Sequence, residues 1–152
     1  MVAPDEAALA TARSSCSGSW VAQERVIGEE LCSWSVFCSG KVALHVCYRP
    51  VRRVGIGAAT LFESVDEPES LRIAAAVGSA RCLNGQVGFD FIKRDGTLLP
   101  IECNPRGTSG VHFFRSLPRV LARSLTGIPV ASAPVVAPSG ERFMVAGAVL
   151  PG

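Results

Sequence analysis

The hydrophobic positions of this chain fall into short runs that predict paired β-strands. Residues 31–38 and 42–48 are rich in β-branched and aromatic side chains, and Ser39-Gly40 separates the two runs. Residues 86–93 and 98–103 form a second pair, separated by Arg94-Asp95-Gly96. A short glycine-containing segment between two such runs is typical of a β-hairpin. The pattern therefore predicts two hairpins.

The spacing of apolar residues changes between the two hairpins and predicts a helix over 70–83. We expect Asp66 to cap this helix, Pro68 to lie in its first turn and Asn84-Gly85 to end it with a positive φ. The apolar positions share one helical face at three- and four-residue spacing: Leu71, Ala74, Ala75, Gly78 and Cys82.

The remaining segments are shorter. We expect a short helix within 4–12, short strands at 21–26 and 58–65, a loop at 49–57, a helix over 111–125 broken near Pro118, and a possible strand at 142–149. Antiparallel strands with a helix between them predict an α+β fold, an antiparallel sheet with packed helices.

Composition narrows the possible functions. The chain has 152 residues, 48% hydrophobic and 18% charged, which suits a packed domain or part of a larger one. A net charge of +2 disfavours a dedicated nucleic-acid-binding protein. No apolar run reaches the roughly 18 residues of a membrane span, and the acidic start lacks the basic region of a signal peptide.

Six cysteines occur singly rather than in Cys-x-x-Cys pairs, a pattern that disfavours a zinc site. We interpret them as small buried apolar side chains in a reducing compartment, which predicts a cytoplasmic location. They are Cys16, Cys32, Cys38, Cys47, Cys82 and Cys103.

The second hairpin carries the most informative polar side chains. Asp90 lies between two phenylalanines on the first strand, and Glu102 and Asn104 lie on alternate positions of the second. Alternate residues of a strand share a face, so a turn at Asp95-Gly96 brings two carboxylates and an amide together. The carboxylates would repel by about 4 kcal/mol at 4 Å and an effective dielectric of 20. Oxygen ligands favour Mg²⁺ or Mn²⁺, although an ordinary solvent-facing hairpin would show the same alternation.

The segments 88–91 and 101–106 resemble the metal-binding strands of ATP-grasp enzymes, the superfamily of carbamoyl phosphate synthetase, biotin carboxylase and D-alanine–D-alanine ligase. The resemblance implies that Asp90, Glu102 and Asn104 bind the Mg²⁺ or Mn²⁺ ions that bridge ATP phosphates. It also implies that Arg106 contacts the transferred phosphate or the acyl phosphate.

Residues 23–30 resemble the hinge that reads adenine in the same family. The resemblance places Gln23 at the adenine amino group, with backbone contacts from Arg25 and Val26 beside Glu24. Glu30 would then accept hydrogen bonds from the ribose hydroxyls. An ordinary strand and turn with solvated glutamates is the alternative interpretation of this segment.

The resemblance implies an ATP-dependent carboxylate–amine or carboxylate–thiol ligase that acts through an acyl phosphate. Residues 20–126 would be the carboxyl-terminal ATP-grasp lobe, 1–19 a remnant of the preceding lobe or a leader, and 127–152 a tail with a possible extra strand. A carbamoyl-phosphate or biotin-carboxylase type of fragment, or a non-catalytic nucleotide-binding module, are the alternatives. ATP and a small carboxylate are the implied ligands, without nucleic acid or membrane.

The chain departs from the family in its lysines. ATP-grasp enzymes carry two phosphate-binding lysines before the hinge, whereas the two lysines here, Lys41 and Lys93, both follow it. We therefore expect the amino-terminal lobe to come from a parent chain or a partner, and the isolated chain not to catalyse ligation.

Two further features are left open. Arg49, Arg52 and Arg53 form a basic patch that is either a solvated loop or a contact for an anionic substrate. His112 follows Arg106 and either lines the site or packs as an ordinary histidine.

Overall fold

Antiparallel strands make up most of the computed structural model, which describes residues 5–15, 18, 23–53, 59–128 and 130–145. The strands are β1 (Glu29–Cys38), β2 (Lys41–Arg53), β3 (Ala59–Val65), β4 (Gly85–Arg94), β5 (Thr97–Asn104), β6 (Val135–Val136) and β7 (Arg142–Met144). The helices are α1 (Glu6–Ser15), α2 (Pro68–Arg81) and α3 (Pro118–Leu125), with a 3₁₀ helix at Ser109–Phe114.

The described strands form one sheet in the order β5-β4-β1-β2-β3-β7, and β6 adds parallel to β2. Both predicted hairpins are present, as β1–β2 and β4–β5. Their turns place Ser39-Gly40 and Asp95-Gly96 at positive φ, the conformation that two-residue hairpin turns require. The predicted α+β architecture is confirmed.

The sheet buries side chains on both faces. Helix α2 covers one face, where Leu31, Phe37 and Phe91 pack against it and its neighbours. The 3₁₀ helix and α3 cover the other face, where Trp34 and Phe114 are almost fully buried. Successive residues of a strand point to opposite faces, so β1 contributes to both cores.

A polar group is buried beneath α2. His45 on β2 is 2% exposed, and its Nδ1 lies 2.9 Å from the Ser35 hydroxyl oxygen. Its Nε2 lies 2.9 Å from Ser70 Oγ, while the Ser70 hydroxyl donates to the Glu67 carbonyl oxygen at 2.7 Å. Because the Ser70 hydroxyl already donates a hydrogen bond to Glu67, its oxygen accepts one from Nε2–H of His45. The Ser35 hydroxyl then donates to Nδ1. The imidazole is therefore satisfied in its neutral form.

Strand β2 is longer than the sequence predicts. The segment expected as a loop after Arg49 continues as strand to Arg53, because residues 47–53 pair with β3. Pro50 has no backbone N–H to donate, and the register with β3 shifts directly after it. The strand expected at 21–26 is absent from its described part, 23–26, which has no regular structure.

The ends of α2 also differ from the prediction. The N-cap residue is Glu67 rather than Asp66, and no side-chain hydrogen bond caps the helix. At the other end Cys82, not Gly85, adopts the left-handed conformation that ends the helix. A cysteine can take this role here because its backbone N–H bonds the carbonyl oxygens of Gly78 and Ser79.

The five cysteines in the described ranges have free thiols. Cys38 and Cys47 are buried and Cys32 is half-buried, whereas Cys82 and Cys103 are exposed, so the expectation of buried thiols is wrong for the last two. Cys16 lies outside the described residues. In the part of the chain that the structure describes, no helix has the length and apolarity needed to cross a membrane.

Candidate functional site

The β4–β5 hairpin brings the predicted metal ligands onto one face of the sheet. Asp90 lies directly opposite Glu102, and Asn104 lies opposite Gly88. Paired residues of antiparallel strands share a face. The Asn104 amide nitrogen donates to Asp90 Oδ2 at 3.1 Å, so these two side chains are already in contact. The shared face that the alternation predicts is therefore present.

A β-bulge interrupts the hairpin beside these residues. Asp90 pairs with Glu102 and Phe91 with Pro100, which leaves Ile101 without a partner on β4. A bulge redirects the side chain of the extra residue. Ile101 consequently lines the same cleft as Asp90, although strict alternation with Glu102 would place it on the opposite face.

Gly88 allows the segment after β5 to pack closely over the sheet. A Cβ atom at Gly88 would lie 2.6 Å from Thr108 Cγ2 and 3.3 Å from the Ser33 carbonyl oxygen. Thr108 Oγ1 in turn lies 3.1 Å from the Tyr48 hydroxyl on β2. The lack of a side chain at Gly88 therefore lets the segment that follows Asn104 lie close to the sheet.

A cleft of about 330 Å³ opens beside Asp90 on this face. Its charged residues are Glu30, Arg53 and Asp90. The rest of its lining is mostly apolar: Leu31, Cys32, Pro50, Ala59, Phe62, Phe91, Ile92 and Ile101. The cleft thus combines an apolar wall with carboxylates from β1 and β4.

Sequence reasoning did not find most of this wall. Cys32 lies two residues after Glu30 on β1, so alternation alone would have placed it on the same face. Pro50 and Phe62 carry no comparable signal, because they reach the cleft only through the β2–β3 pairing.

Cys32 is protonated in this setting. It lies opposite Asp90 on one side and Tyr48 on the other. Burial, reinforced by the neighbouring Asp90 carboxylate, raises the pKa of the Cys32 thiol well above its usual range. Burial likewise raises the pKa of Tyr48. Both groups are neutral near pH 7, so the charge on this side of the cleft comes from carboxylates and Arg53.

The predicted hinge precedes β1 directly, but only part of it reaches the cleft. Glu30 lines the cleft and forms an ion pair with Arg53. Gln23 and Arg25 are exposed and Val26 is half-buried, and these three are not among the lining residues. Exposed Glu24 forms an ion pair with Arg94 at 3.2 Å, which ties the segment to the end of β4.

Arg106 follows β5 and is exposed. Its guanidinium donates to the Gly107 carbonyl oxygen at 3.3 Å, and it does not line the cleft. His112 packs its ring 5.0 Å from the ring of Phe143 on β7. Of the two interpretations of His112, this contact favours a packed histidine.

Arg49 belongs to a separate ionic group on the opposite face of the sheet. Its guanidinium contacts Glu63 at 2.8 Å and Glu29 at 3.5 Å, and Arg142 contacts Glu63 at 2.9 Å. Arg53, by contrast, lines the cleft. Arg49 and Arg53 nevertheless line a common pocket of about 540 Å³ with Glu29 and Glu30, so Arg53 lines both hollows, whereas Arg49 lines only the second and is already paired with carboxylates.

The predicted ligands do not form a closed metal cage. Among the described residues, no group of three or more histidine, cysteine, aspartate or glutamate side chains lies close enough to hold a metal ion. Two carboxylates and one amide oxygen match the way Mg²⁺ is usually held, by one or two carboxylates together with phosphates and water. The residues thus fit a cation shared with a phosphate ligand.

Solved structures with the same arrangement of strands and helices are ATP-grasp enzymes. N5-carboxyaminoimidazole synthase from Aspergillus clavatus, in complex with ADP and 5-aminoimidazole ribonucleotide, is 14% identical with a TM-score of 0.52. The match covers 72% of this chain and 32% of that one. N5-carboxyaminoimidazole ribonucleotide synthetase from Thermus thermophilus is 17% identical, with a TM-score of 0.50 over 70% of this chain and 32% of that one. This chain has the fold of part of an ATP-grasp domain.

A third ATP-grasp structure supports the assignment of fold. The biotin carboxylase domain of Hydrogenobacter thermophilus 2-oxoglutarate carboxylase, in complex with MgADP, ADP and bicarbonate, is 14% identical with a TM-score of 0.50. The match covers 70% of this chain and 26% of that one. The chain thus spans about a third or less of these structures. No protein-family model and no curated protein sequence matches it.

Proposed function

We propose that this chain forms the ATP- and metal-binding part of an ATP-grasp ligase that joins a carboxylate to an amine or thiol through an acyl phosphate. The observation that carries the proposal is the placement of Asp90, Glu102 and Asn104 on one sheet face, where Asp90 lines the same cleft as Glu30. The apolar wall suits a planar base, and the carboxylates suit a cation and ribose hydroxyls.

Mg²⁺ or Mn²⁺ would be held by Asp90, Glu102 and Asn104 together with nucleotide phosphates. Asn104 now donates its amide nitrogen to Asp90, and rotation of the amide would present its oxygen instead. The cation would offset the repulsion between the carboxylates and neutralise charge on the transferred phosphoryl group. Arg106 would reach the transferred phosphate or the acyl phosphate by moving from its exposed position.

The hinge contributes to the same proposal. Gln23 to Val26 lies shortly before β1 and outside the regular strands, and a segment of this kind can pair with an adenine edge through its backbone N–H and C=O groups. Glu24 is held by Arg94, and Glu30 would accept from the ribose.

Ligation would require side chains from beyond this lobe. Lys93 contacts Glu67 at 2.5 Å on the α2 side, and Lys41 lies at the opposite end of β2 from Arg53, so neither lines the cleft. We therefore expect the 152-residue chain to bind nucleotide without turning it over. The carboxylate and its nucleophile, and the cytoplasmic location, stay predictions.

Calorimetric titration of the chain with ADP, with and without Mg²⁺, tests the proposal. We expect Mg²⁺ to strengthen ADP binding, and Asp90→Asn or Glu102→Gln to remove that dependence. Asp95→Asn is the matched control, because it changes the same charge in the same hairpin at a turn position that asparagine tolerates. ADP binding that is indifferent to Mg²⁺, or equal losses in all three variants, would contradict the proposal.

A further inference from the structure

The carboxylate of Glu30, to which the proposed function assigns the ribose hydroxyls, is already engaged. Arg53 at the end of β2 reaches across to Glu30 at the start of β1 and forms an ion pair with its Oε2. Both residues line the 330 Å³ cleft that contains Asp90. A ligand that uses Glu30 as an acceptor must therefore displace or share this guanidinium.

The ion pair is partly exposed to solvent. The side chains of Arg53 and Glu30 remain 43% and 56% exposed. Exposed ion pairs of this kind are weak and are screened by salt. Neither residue lies in a regular interior position: Arg53 ends β2 beyond two register shifts against β3, and Glu30 is the second residue of β1.

Arg49 provides an internal comparison. It also lies on β2 and forms ion pairs with Glu29 and Glu63, and it shares a neighbouring pocket with Glu30 and Arg53, but it does not line the cleft that contains Asp90. A general effect of removing a β2 arginine would appear at both positions, whereas an effect on cleft ligands would appear only at Arg53.

We propose that Arg53 is a specificity-determining residue that competes with the ligand's ribose for Glu30. This inference rests on the proposed function. Where a ribose displaces the guanidinium from Glu30, part of its binding energy is used to break the ion pair. A ligand that lacks the 2′-hydroxyl donates fewer hydrogen bonds to Glu30. Its affinity therefore depends less on whether the ion pair between Glu30 and Arg53 is broken. Arg53 therefore lowers the preference for ribonucleosides over 2′-deoxyribonucleosides.

Titration of the full chain with adenosine and 2′-deoxyadenosine, followed by NMR chemical shifts, tests this competition. Both probes lack phosphate, so a phosphate contact by Arg53 cannot interfere. In Arg53→Gln we expect adenosine to bind about two- to fivefold more tightly, with a smaller gain for deoxyadenosine. Arg49→Gln should leave both affinities unchanged. Raising the salt concentration should shrink the difference between the wild type and Arg53→Gln.

The outcomes separate this inference from the proposed function. If the wild type binds adenosine but Arg53→Gln binds it equally well or more weakly, the competition is refuted and the nucleotide site stands. If Arg49→Gln changes the ribose preference as much as Arg53→Gln, the effect does not come from the cleft and the competition is again refuted. If neither the wild type nor the variants bind adenosine or MgADP, both ideas fail.

Discussion

His45 should make the stability of this chain strongly dependent on pH. The imidazole is 2% exposed and satisfied in its neutral form by Ser35 and Ser70. Burial lowers the pKa of His45 from 6.5 to about 4. Protonation of His45 is therefore less favourable in the folded chain than in the unfolded chain.

The size and sign of the effect follow from proton linkage. Above about pH 6.5 neither state is protonated at His45, and the full stability is present. As the pH falls from about 6.5 to about 4, the unfolded state binds the proton first, and stability falls by about 1.4 kcal/mol per pH unit. The total loss is about 3 kcal/mol, a large share of the roughly 5–15 kcal/mol typical of a domain.

Urea unfolding followed by circular dichroism, repeated between about pH 7 and pH 4, measures this loss. His45→Gln should show a much flatter dependence than the wild type, whereas His112→Gln, which leaves His45 and its two serine partners in place, should keep most of the wild-type slope. Hydrogen bonds from Arg49 and Arg142 lower the pKa of Glu63, so this residue also loses its ion pairs in acid. That loss is the same in all three proteins. Equal slopes in the wild type and His45→Gln would refute the reasoning.

Two glycine substitutions test close approaches in the fold. In Gly88→Ala, the added methyl group would meet Thr108 Cγ2 at 2.6 Å, so we expect about 1–3 kcal/mol lower unfolding free energy in urea. Adding Thr108→Ser, which removes Cγ2, should restore part of the lost unfolding free energy. If the double variant is no more stable than Gly88→Ala, the contact with Thr108 is not the cause. In Gly78→Ala, the methyl group would meet Phe37 at 2.5 Å and the Gly40 carbonyl at 2.9 Å. The stability lost through these contacts should exceed the roughly 1 kcal/mol that alanine gains over glycine within a helix. A higher melting temperature for Gly78→Ala would contradict the close packing of α2 on Phe37 and Gly40.

The parts of the fold that the sequence predicts are those set by local chemistry. Ser39-Gly40 and Asp95-Gly96 specify their turns through positive φ, so both hairpins can be predicted from neighbouring residues. The extension of β2 to Arg53 cannot be predicted from neighbouring residues. Its proline and arginine content favours a loop, and only the pairing with β3 makes it a strand. The end of α2 at Cys82 likewise depends on its backbone bonds rather than on residue type.

The candidate site divides in the same way. Asp90, Glu102 and Asn104 lie on one hairpin, where alternation alone predicts a shared face. Their roles as ligands came from the resemblance to ATP-grasp enzymes and stay a prediction. The position of Ile101 depends on a bulge, and the Glu30–Arg53 ion pair joins residues on different strands, so neither has a signal in the local pattern.

Paramagnetic broadening by Mn²⁺ in the presence of ADP tests the central claim most directly, because it shows where the cation lies. The account predicts that backbone amide signals around Asp90, Glu102 and Asn104 broaden at Mn²⁺ levels that leave the rest of the sheet sharp, and that Asp90→Asn abolishes this selectivity. Broadening centred on Glu29 and Glu63 on the opposite face, or spread evenly over the acidic surface, would contradict it.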